Sequence, residues 1–158
     1  MAYVEVLDET RRFGRTADLR RLLTRYLEEA GLDAREVTVV IVDDDAIAVR
    51  NLRDRGVQGA TDVLSYPTME PDDVGFPPVP HLGDVFVSLD TAERQADAQR
   101  HDTFTEVAVL TLHGVTHLRG LDHRDEAEWT PFRQAEARAR ALARGLPPRS
   151  HGARTGPA

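Results

Sequence analysis

The chain contains no cysteine and no lysine. Without cysteine there are no disulfides, no thiolate nucleophile and no sulfur-built metal site, so nitrogen and oxygen would have to hold any bound ion. Aromatic residues make up 6% of the sequence, with a single tryptophan. No apolar run approaches the roughly 18 residues that span a bilayer. The opening MAYVEVLDETRRFGR has no basic head followed by an apolar stretch, which argues against a signal peptide. A cytoplasmic location is therefore the default expectation.

What is present suits one domain: 158 residues, 41% hydrophobic and 30% charged, enough to bury a core. All 20 basic residues are arginine, and the net charge is −7. A negative sum disfavours phosphate partners, but its distribution is uneven. Residues 61–100 carry 2 arginines against 8 acids, residues 1–60 carry 10 against 12, and residues 101–158 carry 8 against 7. Basic patches are thus open outside the middle segment. Arg11, Arg12, Arg15, Arg20, Arg21, Arg25, Arg50, Arg53 and Arg55 are candidates for the walls of a nucleic-acid groove.

Periodicity predicts the elements. Tyr3 to Leu7 alternates as a half-buried strand, and Glu36 to Val42 is a β-branched run of the kind buried on both faces. Thr61 to Tyr66 and Gly83 to Leu89 read as further strands. Leu19, Leu22, Leu23, Tyr26 and Leu27 recur at helical spacing behind Thr16 or Asp18 as caps, and Gly31 ends that helix. Asp43-Asp44-Asp45 opens a helix running to about Arg53. Asp90 caps a third helix, Thr103 or Thr105 a fourth running to about Leu118. Thr130 caps a last helix, with Pro131 in its first turn, that stops near Arg144. Residues 67–80 hold five of the nine prolines and predict a long loop. The Gly-, Pro- and Arg-rich segment 146–158 predicts a disordered tail after a domain of residues 1–145. The expected architecture is α/β (α+β): a mixed four-stranded sheet covered by about five helices.

Chemistry concentrates in Leu112-His113-Gly114-Val115-Thr116-His117-Leu118-Arg119-Gly120-Leu121-Asp122-His123. His113 and His117, four apart on a helix, project from one face. Gly120 is placed to break the helix, and the reversal can bring His123 to the same ion. Three neutral imidazoles with an open fourth position describe a catalytic zinc site, although such a set also accepts nickel or copper. The bland alternative makes His113 a core residue and the other two caps or filler. Metzincin peptidases share the spacing, but their general base follows the first histidine, where this chain has Gly114.

With that glycine, HGVTHLRGLDH resembles the H-G-x-x-H-L-x-G-Y-D-H signature of the YbeY family of bacterial endoribonucleases. Upstream, Thr61 to Pro67 (TDVLSYP) is similar to that family's T-D-V-L-S-F-P, Leu82 to Val85 to its L-G-D-I, and Asn51 to Arg55 to its N-x-x-[YF]-R. Leu121 stands for the usual Tyr, Tyr66 for Phe, and Asp54 for the aromatic before the arginine. The resemblance covers about residues 3–143. It implies zinc, one ion per chain, on His113, His117 and His123, with Arg55 as the functional arginine; at the Asp54 departure the register could instead fall on Arg53. It implies an α/β fold with a mixed four-stranded sheet. It also implies cleavage of single-stranded RNA in maturation of the 16S rRNA 3′ end and ribosome quality control, alongside a small-subunit ribosomal protein and an assembly GTPase. Two rival readings remain open: a non-catalytic assembly factor with a structural metal, and a metal-dependent hydrolase of other phosphoesters or of peptides.

Other residues divide between site and scaffold. Asp122 can orient an imidazole or cap a turn. Arg119 reads as an exposed-face residue, Ser65 and Asp84 as strand-end hydrogen-bonding groups within the family-like strings, and His81, His101 and His151 as surface histidines. Trp129 and Phe132 read as core.

Overall fold

The run Glu36–Val42 forms β2, and five of its seven residues are buried, as its β-branched composition requires of a central strand. In the computed structural model, which describes residues 2–69, 73, 75, 77 and 79–146, β2 lies between two parallel neighbours. One is β1 (Tyr3–Asp8) and the other β4 (His81–Ser88), while β3 (Val63–Pro67) pairs antiparallel with β4 at the far edge. The order is β1-β2-β4-β3. The helices are α1 (Thr16–Glu29), α2 (Asp44–Arg50), α3 (Leu89–Gln99), α4 (Thr103–Leu118) and α5 (Trp129–Arg144). The mixed four-stranded sheet with five helices agrees with the sequence expectation. The tail beyond residue 146, His151 and parts of the proline-rich loop lie outside the described residues. Leu146 packs against the core, and its carbonyl accepts a hydrogen bond from Arg15.

Strand alternation sends side chains to two unequal cores. Val4, Val37, Val39, Ile41, Val85 and Val87 face α1, α4 and α5, while Val40, Val42, Leu64 and Phe86 face α2 through Ile47. In α1, Leu19, Leu22, Leu23 and Leu27 are fully buried, each stabilising the fold by about 1.5–3 kcal/mol. Helix α4 is different in kind. Twelve of its sixteen residues are buried, so it is the central helix rather than an amphipathic cover. Among the described residues no helix is long and apolar enough to cross a membrane.

Helix starts differ from the expected caps where several cap-type residues stand in a row. Ser88, not Asp90, accepts the Thr91 N–H that begins α3, and Asp102, not Thr103 or Thr105, caps α4. Helices α1 and α5 begin after Arg15 and Glu128 with no side-chain cap. The helix expected to reach Arg53 instead passes at Asn51 into a π-helical turn, Asn51–Arg55.

Asp44 ties α2 to α3: it accepts the hydroxyls of Ser88 (2.6 Å) and Thr91 (2.7 Å) and the Arg94 guanidinium (2.9 Å). Burial raises the Asp44 pKa, but these donors outweigh it and hold the carboxyl below its usual value. A depressed folded pKa contributes stability above about pH 4 that is lost as pH falls through the folded value. Acid unfolding followed by circular dichroism should therefore be less steep below about pH 4 for Asp44→Asn than for the native chain.

The register between β2 and β4 slips beside Gly83, which adopts φ +148°. A Cβ there would lie 2.3 Å from the Tyr66 carbonyl oxygen and 2.8 Å from Leu118 Cδ2. Gly83→Ala combines backbone strain of about 1–3 kcal/mol with overpacking of similar size. Thermal unfolding should show Tm lowered by about 5–15 °C.

Candidate metal centre

Helix α4 lies close on β3 and β4 because residue 114 has no side chain. A Cβ at Gly114 would sit 2.6 Å from Val85 Cγ1, 3.0 Å from Ser65 Oγ and 3.2 Å from Val63 Cγ2. The Ser65 hydroxyl donates to the Gly114 carbonyl at 3.0 Å. Position 114 thus faces the sheet, and the metzincin-type carboxylate is missing together with the room for one. His113 and His117 fall instead on the flank of α4 that lines a cleft of about 720 Å³.

The helix ends where Gly120, at φ +87°, donates to the His117 carbonyl, a conformation costly to other residues. The chain reverses and His123 returns. The ring centroids of His113, His117 and His123 form a triangle with sides of 5.0, 4.9 and 5.2 Å. One nitrogen from each lies within 4.8 Å of the others, a spread that metal–nitrogen bonds of about 2.1 Å can close with small ring rotations. Buried Phe132 sits 4.7–4.8 Å from all three rings as a common floor. Trp129 stacks on His123 at 4.0 Å with planes 15° apart.

Outer contacts set the rings for metal binding. His117 Nδ1 lies 3.1 Å from the Leu121 carbonyl, which can only accept, so Nδ1 carries the proton and Nε2 keeps its lone pair. His113 Nδ1 faces Glu136 Oε2 at 3.1 Å in the same manner. Burial, then the neighbouring His113, lowers the His117 pKa; both favour the neutral ligand form. The donor set fits a divalent cation, and among the described residues no fourth metal-ligating side chain joins the group.

Arg55 lines the same cleft, held by a 2.6 Å bond from its Nη2 to the Ser65 carbonyl. Arg53 does not line it and is engaged in a two-pronged pair with Asp54, at 2.8 and 2.9 Å. Asp54 also accepts the Tyr66 hydroxyl at 2.6 Å. The two departures from the family-like strings at 54 and 66 are therefore bonded to one another, a polar link from the π-helical turn to β3.

The remaining arginine candidates scatter. Arg12 pairs with Asp90 and Glu93, Arg15 and Arg50 stack on Phe104 and Phe86, and Arg20, Arg21 and Arg25 line a separate groove between α1 and the edge strand β1. Arg119, with Arg35, lines a depression that meets the histidine cleft at Met69 and Gly120. Asp122 accepts the His123 backbone N–H rather than a ring N–H. Asp84 pairs with His81. His101 is not a free surface residue: it bonds buried Glu106 at 2.6 Å. Glu136 and Asp62 were not singled out from sequence. Trp129, Phe132 and Glu136 stand at i, i+3 and i+7, the one signal that α5 turns a single face to the histidines.

Glu136→Ala should weaken metal binding about 10- to 100-fold, whereas Glu136→Gln, which keeps an acceptor, should retain more. Titration against a competing chelator reads this directly.

Comparison with known proteins places the chain in a family. A family model described as Endoribonuclease YbeY matches residues 5–142. The chain is 44% identical to the Endoribonuclease YbeY of Thermus thermophilus over 124 residues, covering 78% of this chain and 88% of that protein. It is 50% identical to that of Deinococcus radiodurans over 105 residues, 66% of each. The solution structure of TM1509 from Thermotoga maritima shares the fold, with TM-score 0.62 and 23% identity over 91% of this chain and 93% of that one. On the family match and these identities, the chain belongs to the YbeY endoribonuclease family.

Proposed function

We propose that this protein is a metal-dependent endoribonuclease, cleaving single-stranded RNA with one zinc ion on His113, His117 and His123 and with Arg55 on the scissile phosphate. The observation that carries the reading is the convergence of three imidazoles beside Arg55 in one open cleft. When bound, a divalent cation supplies Lewis acidity toward water or a phosphoryl oxygen. The chain's own residues do the positioning. Glu136 and the Leu121 carbonyl fix the orientation of the His113 and His117 rings through their Nδ1 atoms. Arg55 spends one N–H on Ser65 and keeps others for phosphate oxygens, where a fixed guanidinium offsets growing charge. Arg35 and Arg119, in the adjoining depression, add positive charge beside the cleft. Peptide hydrolysis of the metzincin kind is disfavoured because Gly114 faces the sheet.

The family resemblance supports a finer reading: a cytoplasmic protein acting on the 3′ end of 16S rRNA and in ribosome quality control, with a small-subunit ribosomal protein and an assembly GTPase as partners. The competing reading, an assembly factor with a purely structural metal, calls for a closed coordination shell, and three histidines do not provide one.

Purified protein loaded with zinc should cut a single-stranded RNA. Activity should vanish with chelator, return with zinc, and be absent in His117→Ala. Arg55→Ala should lower kcat/KM about 10²- to 10³-fold, while Arg53→Ala changes it less than about 3-fold. Cleavage that survives in His117→Ala would point to a contaminating nuclease and leave the proposal without support.

A further inference from the structure

A second cleft, of about 440 Å³, lies on the other side of His113. It shares His113 and Asp62 with the histidine cleft, so the two adjoin at those side chains. Asp62 lines both; the first adds Arg55, Asp122 and three imidazoles, whereas the second adds Glu106, paired with His101, and Glu136 against Arg140. A phosphate would be repelled there, but a flat, neutral, polar group would not.

The second cleft is lined by Trp129, which does not line the first. The indole is also stacked on His123, at 4.0 Å with planes 15° apart, which fixes the ring beside the cleft. Gln95 donates to Asp62 at 3.2 Å and keeps its amide oxygen. Gln99 also lines the wall, and among the described residues its side chain makes no hydrogen bond. The carboxylates are already held in place, Glu106 by His101 and Glu136 by His113. An aromatic platform with amide groups at its side is the chemistry that receives a nucleobase, whose π-face stacks on it and whose edge takes hydrogen bonds.

We propose that this second cleft is a nucleobase subsite, in which the base next to the phosphate held at the first cleft stacks on Trp129 with Gln95 and Gln99 at its edge. The inference rests on the RNA-cleaving reading and deepens it. Because every base has a π-face, the subsite contributes affinity and strand placement more than sequence preference.

Trp129 is the only tryptophan, so its fluorescence reports on the cleft directly. The zinc-loaded protein is mixed with hexaadenylate RNA, or with a ribose-phosphate hexamer of equal charge lacking bases, and read by stopped flow before turnover. The base-bearing chain should quench the fluorescence and bind about ten-fold or more tightly than the abasic one. By anisotropy of labelled chains, Trp129→Phe should keep that preference and Trp129→Leu should lose it. Gln99→Ala, an exposed position away from the metal ligands, should weaken the base-bearing chain about 3-fold or more and leave the abasic chain and the zinc content unchanged. Equal affinity for both chains without quenching, or a base preference indifferent to Trp129→Leu and Gln99→Ala, overturns the subsite and leaves the nuclease reading standing. Binding of neither chain overturns both.

Discussion

The structure turns on how closely the central helix approaches the sheet. Helix α4 can bring His113 and His117 to the cleft only because Gly114 lets its backbone settle against Val63, Ser65 and Val85, and Gly83 leaves room for Leu118 at the other end. A side chain at either position would lift the helix and, with it, two of the three histidines. Packing and site are thus one constraint. The contacts that bury α4 on nearly every side also fix where His113 and His117 stand relative to β3, the strand whose Ser65 holds Arg55.

Around that helix the site is assembled from segments far apart in sequence. The turn after Gly120 returns His123, α5 supplies Phe132 as floor and Glu136 as the partner of His113, and the π-helical turn presents Arg55. The last of these is braced by the Asp54–Tyr66 bond. Burial of Asn51, whose side chain donates to the Gly59 carbonyl at 2.9 Å, holds the base of the same turn.

Much of this was legible in the sequence for definite reasons. The β-branched run 36–42 had to be a central strand, and the 3.6-residue period of α1 had to be a buried face. The H-x3-H-x5-H spacing with its glycine carries the convergence of three imidazoles that the fold displays. Cap positions were misread where Ser88, Asp90 and Thr91, or Asp102, Thr103 and Thr105, compete within one turn; only tertiary contacts such as the bond from Asp44 N–H to Asp90 decide between them. Glu136 was not legible because it meets His113 across 23 residues. Asp54 in place of an aromatic is, in sequence, only a departure from the arginine motif; in the fold it stands opposite Tyr66 and accepts its hydroxyl.

The histidines are mounted unequally. Two ride on the most deeply embedded helix of the molecule, whereas the third sits on a largely exposed stretch, residues 119–128, where its ring stacks on Trp129 and meets Phe132. Any ion held by all three imidazoles would therefore join that exposed stretch to the buried helix, so that the surface segment and the core would share one point of attachment beside Trp129.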